Sequence, residues 1–266
     1  MAQEIFKIGG SYPDVAIVSL QRNATILDGP AAGRLKNGDM VRDVIGTFYN
    51  YALDILPKNE NLSAYDDLYE TITAPVKSYP VQLPFGQGQL EFDAYIANAD
   101  DELRLMTDSK NIWDGLAFTV VAMEPQRYYG ETWSLRSGSG NQVFTIDGVG
   151  FDVGVKKLTR KGAVLDSSAS GRSKSGVMDR EIIGTFYNYS MEIIQRLENP
   201  EEYDLLYYAL TAPVDSHEIT VPYGQGMLTI QAYVSNASDK LIRSIDGMNF
   251  WGELTVDFIA MNPTRR

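Results

Sequence analysis

Hydrophobic residues alternate with polar or small residues along several long segments of the chain. Between positions 45 and 55 the alternating residues are Ile45, Thr47, Tyr49, Tyr51, Leu53 and Ile55. The same alternation occurs at positions 90–96, 116–122, 183–193, 228–234 and 254–260. Because successive side chains of a strand point to opposite faces of a sheet, this period of two predicts strands with one buried face.

Two segments have the period of a helix instead. Their apolar residues recur at i, i+3, i+4 and i+7, and they are Tyr65, Leu68, Tyr69 and Ile72 in one segment and Tyr203, Leu206, Tyr207 and Leu210 in the other. Asn61 and Asn199 are suitable N-caps, and Pro200 suits the first helical position. Pro75 and Pro213 are expected to end these helices, because proline cannot continue one.

The motif Gly-Thr-Phe-Tyr-Asn-Tyr occurs twice, at positions 46–51 and 184–189. The offset of 138 also aligns Thr-Ala-Pro-Val at 73–76 with 211–214 and Gly-Gln-Gly at 86–88 with 224–226, with no insertion or deletion. A fixed offset over this length indicates an internal duplication. We predict a first repeat at residues 1–130, a Gly/Ser-rich linker at 131–141 and a second repeat at 142–266.

Each repeat is predicted to have the order β–β–β–α–β–β–β. Gly-Gln-Gly at 86–88 stands between two strand-like runs, which is typical of a hairpin turn. The fold class that follows is mainly β with one helix per repeat. Each repeat is expected to form an antiparallel β-sandwich or partial barrel.

One long segment of each repeat, at residues 27–43 and 165–181, has neither strand nor helix periodicity. A connection of this length is rare in compact domains unless it is functional or mobile. Both copies keep the same pattern of glycines, basic residues and one methionine. We predict that these loops form a subunit interface through Gly33, Arg34, Lys36, Gly38, Met40 and Arg42, and through Gly171, Arg172, Lys174, Gly176, Met178 and Arg180.

The composition is that of a soluble globular protein, with 44% hydrophobic and 22% charged residues among 266. The absence of cysteine excludes disulfides and thiolate metal sites. The first residues lack the pattern of a signal peptide, and no apolar run has the length of a membrane anchor. A net charge of −12 disfavours tight binding of nucleic acid, because an acidic surface repels phosphate.

The residues that could carry catalysis have simpler interpretations. His217 is the single histidine, so the sequence offers no spare histidine for a Ser-His-Asp site and no histidine-based zinc site, and we expect an edge-strand or surface side chain. Asp66 and Asp204 are expected in the first helical turn, where carboxylates favour the helix dipole. We therefore predict that the protein is not an enzyme and has no catalytic, cofactor-binding or metal site.

Three further motifs are equally weak signals. The run Asp100, Asp101 and Glu102 lacks the ligand spacing of an EF-hand, so a solvated turn is expected. Gly-Gln-Gly at 86–88 opens no helix, so a tight turn is favoured over an anion cradle. Trp113 and Trp251 could line sugar platforms, although a place in the core is the more common role of such residues.

The duplicated β-rich repeat, with one helix and a long loop between two strands, resembles the tail-tube fold of long-tailed bacteriophages and related injection machines. The resemblance covers nearly the whole chain. It rests on the two loops, the helices near Tyr65 and Tyr203, the Gly-Thr-Phe-Tyr-Asn-Tyr strands, and the endings at residues 122–127 and 260–265. These motifs are structural rather than catalytic.

The resemblance implies a ring of six tube domains around a continuous inner β-barrel. Two domains per chain would give three chains per ring, a pseudo-sixfold trimer. The loops would contact neighbouring subunits or rings, and DNA would pass an acidic lumen without sequence-specific binding. The implied location is the virion tail after synthesis in the host cytoplasm, with other tail proteins as partners, either as main tube subunit or as adaptor, hub or distal tail protein.

A second interpretation stays open at this point. A tandem carbohydrate-binding β-sandwich, carried on a tail tip or elsewhere, would use the abundant tyrosines together with Trp113 and Trp251.

Overall fold

The computed structural model describes residues 5–108, 110–130 and 143–266, and the predicted linker at 131–141 lies outside these ranges. In the described part of the chain, strands predominate and two α-helices are present, one in each repeat. The strands pair in a large antiparallel arrangement. The prediction of a mainly β fold with one helix per repeat is therefore confirmed.

The first repeat contains nine strands and one helix among its described residues. They are β1 (Lys7–Ile8), β2 (Ala16–Asp28), β3 (Gly33–Arg34), β4 (Met40–Val41), β5 (Val44–Leu56), α1 (Leu62–Ile72), β6 (Tyr79–Phe85), β7 (Gly88–Met106), β8 (Asn111–Ala122) and β9 (Arg127–Tyr128).

The described residues of the second repeat follow nearly the same order, with one additional short strand near the start and no named strand that corresponds to β9. They form β10 (Thr145–Ile146), β11 (Val149–Gly150), β12 (Gly154–Asp166), β13 (Gly171–Arg172), β14 (Met178–Asp179), β15 (Ile182–Ile194), α2 (Pro200–Leu210), β16 (His217–Tyr223), β17 (Gly226–Ile245) and β18 (Met248–Ala260). Strand β12 begins 138 residues after β2, and α2 begins 138 residues after α1. We call two residues separated by 138 positions twins.

The chain divides into two compact units that do not coincide with the two repeats. Unit 1 consists of Met1–Thr25, Phe48–Gln126 and Ser238–Glu253, and unit 2 consists of Ile26–Thr47, Arg127–Ala237 and Leu254–Arg266. Each unit thus contains the body of one repeat and one segment of the other repeat. The sequence alone does not indicate this exchange.

Four segments, which form two pairs of twins, distinguish the units from the repeats. Loop arm 1 is Ile26–Thr47, which belongs to unit 2, and its twin, loop arm 2, is residues 164–185. Strand arm 2 is Ser238–Glu253, which belongs to unit 1, and its twin, strand arm 1, is residues 100–115. Loop arm 1 and strand arm 2 are therefore packed on the body of the other repeat, whereas their twins stay with their own repeat.

Unit 1 has the strand order β1-β6-β7-β8-β5-β2. Strands β5 and β8 pair antiparallel, and the alternating residues from Tyr49 to Ile55 are buried, as the period of two predicts. Helix α1 buries Tyr65, Leu68 and Ile72, and the Asn61 side chain accepts a hydrogen bond from the backbone N–H of Ala64. The predicted helix face and its N-cap are confirmed.

The connection between β6 and β7 is the predicted hairpin turn. Phe85 pairs with Gly88, which leaves a two-residue loop of Gly86 and Gln87. Gly86 has a φ of 55°, a value that favours glycine, so the turn depends on this residue type.

Unit 2 has the strand order β11-β10-β16-β17-β18-β15-β12. Strand β15 pairs antiparallel with β12 on one side and with β18 on the other. Helix α2 starts with Pro200 after the predicted cap Asn199, whose side chain makes no capping hydrogen bond. It buries six of its eleven residues, compared with three of eleven in α1.

Three expectations from the sequence are wrong in detail. The long loops contain short hairpins, because Arg34 pairs with Met40 and Arg172 pairs with Met178. The helices begin at Leu62 and Pro200, which places Asp66 and Asp204 beyond the first turn. Asp100, Asp101 and Glu102 lie inside β7, at an irregularity in its pairing with β8, instead of in a turn.

Candidate functional site

The hairpin of loop arm 1 is held against the end of the second repeat by Arg34. Its guanidinium donates to the carbonyl oxygens of Gly38 at 2.8 Å, Met261 at 3.1 Å and Ala260 at 2.7 Å. The same group lies 4.6 Å from the centre of the Phe186 ring, a cation–π contact. One side chain thus closes its own hairpin and joins it to the second repeat.

The tip of this hairpin fits closely over the second repeat. Gly38 has a φ of 88°, and a Cβ atom at this position would lie 2.6 Å from Cγ2 of Ile183 and 3.1 Å from Cζ of Phe186. The backbone N–H of Met40 donates to the carbonyl oxygen of Met261 at 2.9 Å. Glycine is therefore required here both by the backbone conformation and by the space available.

Farther along loop arm 1, Arg42 and Thr47 make buried contacts. Arg42 pairs with Asp28, donates to the carbonyl oxygen of Val214 at 3.3 Å and lies over the ring of Tyr233. The Thr47 hydroxyl donates to the carbonyl oxygen of Thr211 at 2.7 Å. Gly33, Arg34 and Lys36 are exposed, and Met40 is half-buried.

Loop arm 2 has the same internal hydrogen bonds but is exposed. Arg172 donates to the carbonyl oxygen of Gly176 at 2.8 Å, as Arg34 does to Gly38. Arg180 pairs with Asp166, and this hydrogen bond together with the guanidinium charge lowers the pKa of the Asp166 carboxyl despite its partial burial. All six predicted residues of this arm, including Gly171, Lys174 and Met178, are exposed. A contact of either loop with another subunit stays a prediction.

Two pairs of apolar twins differ strongly in burial between the two loop arms. Ile26 is 5% exposed and its twin Val164 is 51% exposed. Val44 is 8% exposed and its twin Ile182 is 56% exposed. Residues of the same chemical type are therefore core in one copy and surface in the other, so loop arm 2 presents apolar surface of the kind that is covered in loop arm 1.

Strand arm 2 is fixed in unit 1 by an ion pair that the sequence analysis did not identify. Arg22 of β2 donates to both carboxylate oxygens of Asp239, at 3.0 and 2.6 Å, and both residues are 1% exposed. The guanidinium lies 4.8 Å from the centre of the Phe85 ring and 4.0 Å from the centre of the Trp251 ring. A buried charge of this kind is stable only when it is paired and hydrogen-bonded.

The β6–β7 turn completes this contact. Trp251 Nε1 and Asn249 Nδ2 each donate to the carbonyl oxygen of Gly86 at 2.9 Å. Gln87 exchanges two hydrogen bonds with the backbone of Asn249. The turn at Gly86–Gln87 therefore binds strand arm 2 through its backbone and side chain. The same turn residues occur in the second repeat.

The twin of this site is present in parts and exposed. Arg160 lies 4.6 Å from the centre of the Tyr223 ring, as Arg22 does over Phe85. Trp113 is 38% exposed, whereas its twin Trp251 is 2% exposed. The expected core position is therefore confirmed for Trp251 and wrong for Trp113, and sugar binding stays untested. A signal that could have pointed to this site is an arginine at the same position of a strand in both repeats, with an aspartate at the same position of β7 and β17.

His217 is buried, so its expected position at an edge or surface is wrong. It is 1% exposed, and its Nδ1 lies 2.7 Å from Oδ2 of Asp147. Burial alone would raise the pKa of Asp147, but the hydrogen bond and charge of His217 and the backbone N–H of Glu218 bring it below the usual value. The pair of His217 and Asp147 connects the start of the second repeat to β16, so its role is structural.

Among residues 5–108, 110–130 and 143–266, no group of three or more His, Cys, Asp or Glu side chains is arranged to hold a metal ion. No helix in these ranges is long and apolar enough to cross a membrane. No known protein-family model matches the sequence, and no curated protein is similar to it.

Proposed function

We propose that this protein is a structural component of a phage-type tail that assembles into rings, and that these rings form or cap the tube through which DNA passes. Each repeat would supply one tube domain of tail-tube type, and three chains would supply the six domains of a pseudo-sixfold ring. The proposal covers both a main tube subunit and a tube-like adaptor, hub or distal tail protein.

One observation carries the assembly part of this proposal. Loop arm 1 is packed on the second repeat through Arg34, Arg42 and Thr47. Loop arm 2 has the same residue types and the same hairpin but is exposed, including apolar side chains such as Ile182. Ile182 is thus exposed where its twin Val44 is covered by the second repeat, which supports a partner surface for loop arm 2.

The charge of the chain supports the passage of DNA. A net charge of −12 gives an acidic surface that repels phosphate groups over a distance of about 8–10 Å at physiological salt. A channel for DNA needs such a wall, because basic side chains would hold the polymer in place.

Native mass spectrometry and electron microscopy of the concentrated protein test this function. We expect closed rings whose mass is three times that of one chain, with a central channel, and the same rings in tail particles that contain the protein. A strictly monomeric protein at high concentration, together with tail preparations that lack such rings, would overturn the proposal.

A further inference from the structure

The two repeats differ in how their long strands are paired. Strand β2 is hydrogen-bonded to β5 and to β17, whereas in the described part of the chain its twin β12 pairs with β15 alone. In the same described ranges β17 pairs with β16, β18 and β2, and its twin β7 pairs with β6 and β8. Strand β12 therefore has an open edge, and β7 lacks the neighbour that its twin has. An open strand edge is a template for pairing with another chain.

The twins of the residues that form the buried Arg22–Asp239 site lie partly near this open edge and partly in strand arm 1. The twins of Arg22, Phe85 and Gly86 are Arg160, Tyr223 and Gly224, which belong to the second repeat. The twins of Asp239 and Trp251 are Asp101 and Trp113, which belong to strand arm 1. In the second repeat, the Arg160 guanidinium already lies over the Tyr223 ring. Strand arm 1 has the Asp101 carboxylate and the exposed Trp113 ring, which would complete the enclosure of that guanidinium.

The acceptors for loop arm 2 are also present, in the first repeat. Arg34 binds the carbonyl oxygens of Ala260 and Met261 and the ring of Phe186, and the twins of these three residues are Ala122, Met123 and Phe48. Thr47 donates to the carbonyl oxygen of Thr211, which is fully buried, and its twin Thr73 is exposed. The surface that would receive loop arm 2 is thus defined by residues that resemble those receiving loop arm 1.

We propose that a second copy of this chain binds at these twins: strand arm 1 of one copy extends the sheet at β12 of the next copy, and loop arm 2 of that next copy packs on Phe48, Thr73, Ala122 and Met123. In this contact Arg160 pairs with Asp101 and is enclosed by Tyr223 and Trp113. The inference names the contacts of the proposed ring and in that respect rests on the proposed function.

At two positions the residue types differ between twins in a way that suits a contact between separate chains. Arg127 lies over the ring of Tyr208, and the twin pair is Arg265 and Glu70, which adds an opposite charge. Gln21 donates to Ser238, and the twin pair is Thr159 and Asp100, in which the hydroxyl can donate to a carboxylate. Charge complementarity of this kind steers separate partners together.

The contact is heterologous, because each copy uses a different surface to bind its two neighbours. Such contacts continue from copy to copy until a ring closes or a filament forms. Each chain has one open donor set and one open acceptor set, so a closed ring is the assembly in which none remains open.

Charge reversal at Arg160 and Asp101 tests the pairing directly. We expect Arg160→Asp and Asp101→Arg each to weaken association about tenfold or more in sedimentation velocity, because each places like charges together. The chain with both changes should regain association, since the introduced carboxylate then faces the introduced guanidinium across the contact. Far-UV circular dichroism and thermal melting show that the variants fold. If the single variants associate as the unchanged protein does, or if the double variant is not rescued, the proposed pairing is wrong.

The twin glycines provide a matched control for the loop arms. Gly38→Ala introduces a Cβ atom 2.6 Å from Ile183 and should lower the Tm of the single chain. Gly176→Ala has no atom within 4 Å in the chain and should lower the Tm less. The same Gly176→Ala change should reduce association, because the added atom meets Ile45 and Phe48 of the next copy. A Gly176→Ala protein that associates normally would contradict the placement of loop arm 2.

The outcomes separate the contact from the function. If rings form equally well in the charge-reversal and Gly176→Ala variants, the proposed function is unaffected and this contact is wrong. Self-association that depends on Arg160, Asp101 and Gly176 without any ring in tail particles supports the contact and overturns the function. A chain that never self-associates overturns both.

Discussion

At the scale of single residues, the molecule depends on a buried cation between two aromatic rings. Arg22 and Asp239 are both almost fully buried, so desolvation opposes their charges and only the bidentate hydrogen bonds and the rings compensate. Removing one partner of such a pair leaves the other charge buried and is much more damaging than removing an exposed pair.

The twin arginines give a prediction with an internal control. We expect Arg22→Met to lower the free energy of unfolding by about 3 kcal/mol, because the Asp239 carboxylate loses its guanidinium in a buried site. Arg160→Met, at an exposed position, should change it by less than about 0.5 kcal/mol. Urea denaturation of the single chain at low protein concentration measures both.

Equal losses in the two variants would contradict this interpretation of the burial. They would mean that Arg160 already has a buried partner in the isolated chain.

At the scale of elements, periodicity predicted the strands and helices but not their partners. The alternation from Tyr49 to Ile55 and the helical spacing of Tyr65, Leu68 and Ile72 follow from burial on one face, which the residue types record. The short hairpins were missed because a pair of two-residue strands is too brief for any period.

The exchange of arms could not be predicted, for a different reason. Twins such as Val44 and Ile182, or Trp251 and Trp113, are alike in chemistry, yet one of each pair is buried and the other is exposed. Which of two twin segments is buried depends on which surface it meets in the folded chain. The twin segments have similar sequences, so the sequence does not show which one is buried. The sequence analysis predicted the loops as a subunit interface, which stays a prediction, and it missed Arg22, Asp239 and the open edge of β12.

The two loop arms should differ in sensitivity to protease. Loop arm 1 is held by Arg34, Met40 and Arg42, and cleavage there requires these contacts to open first. Residues 33–37 and 171–180 are both exposed, so the expected difference comes from the contacts that hold loop arm 1 on the second repeat. We expect trypsin to cut after Arg172 and Lys174 well before it cuts after Arg34 and Lys36, as measured by mass spectrometry of the fragments.

Lys174→Gln is the control for the assignment of the fragments, because it removes the early cleavage after Lys174 and leaves the cleavage after Arg172. Simultaneous cleavage of the two arms in the unassembled chain would contradict the difference in packing. Assembled protein should be protected in loop arm 2 as well.

At the scale of the whole molecule, the proposed association is linked to protons through Asp101. In the single chain burial raises the pKa of Asp101, and although a hydrogen bond from Tyr65 opposes this, the charges of Asp66 and Asp100 raise it further. The Arg160 guanidinium of a second copy would stabilise the ionised carboxylate and lower that pKa. Association therefore releases a proton in the interval between the two values.

The sign of the pH dependence follows from this release. Association should be strongest above the raised pKa of Asp101 in the single chain and should weaken as the pH falls through the interval between the two pKa values. Sedimentation equilibrium at several acidic pH values measures the association constant. Asp101→Asn should associate more weakly near neutral pH and show a smaller slope, and an unchanged slope in that variant would contradict the role of Asp101.

The covalent link between the two repeats has a consequence for the timing of assembly. Loop arm 1 and strand arm 2 reach their places within one polypeptide, at an effective local concentration that does not vary with the amount of protein made. In the proposed ring, half of the contacts between domains would therefore be complete as soon as each chain has folded. Only the other half would depend on the accumulation of copies, so the protein would remain as separate chains early in its synthesis and would assemble once its concentration passed a threshold.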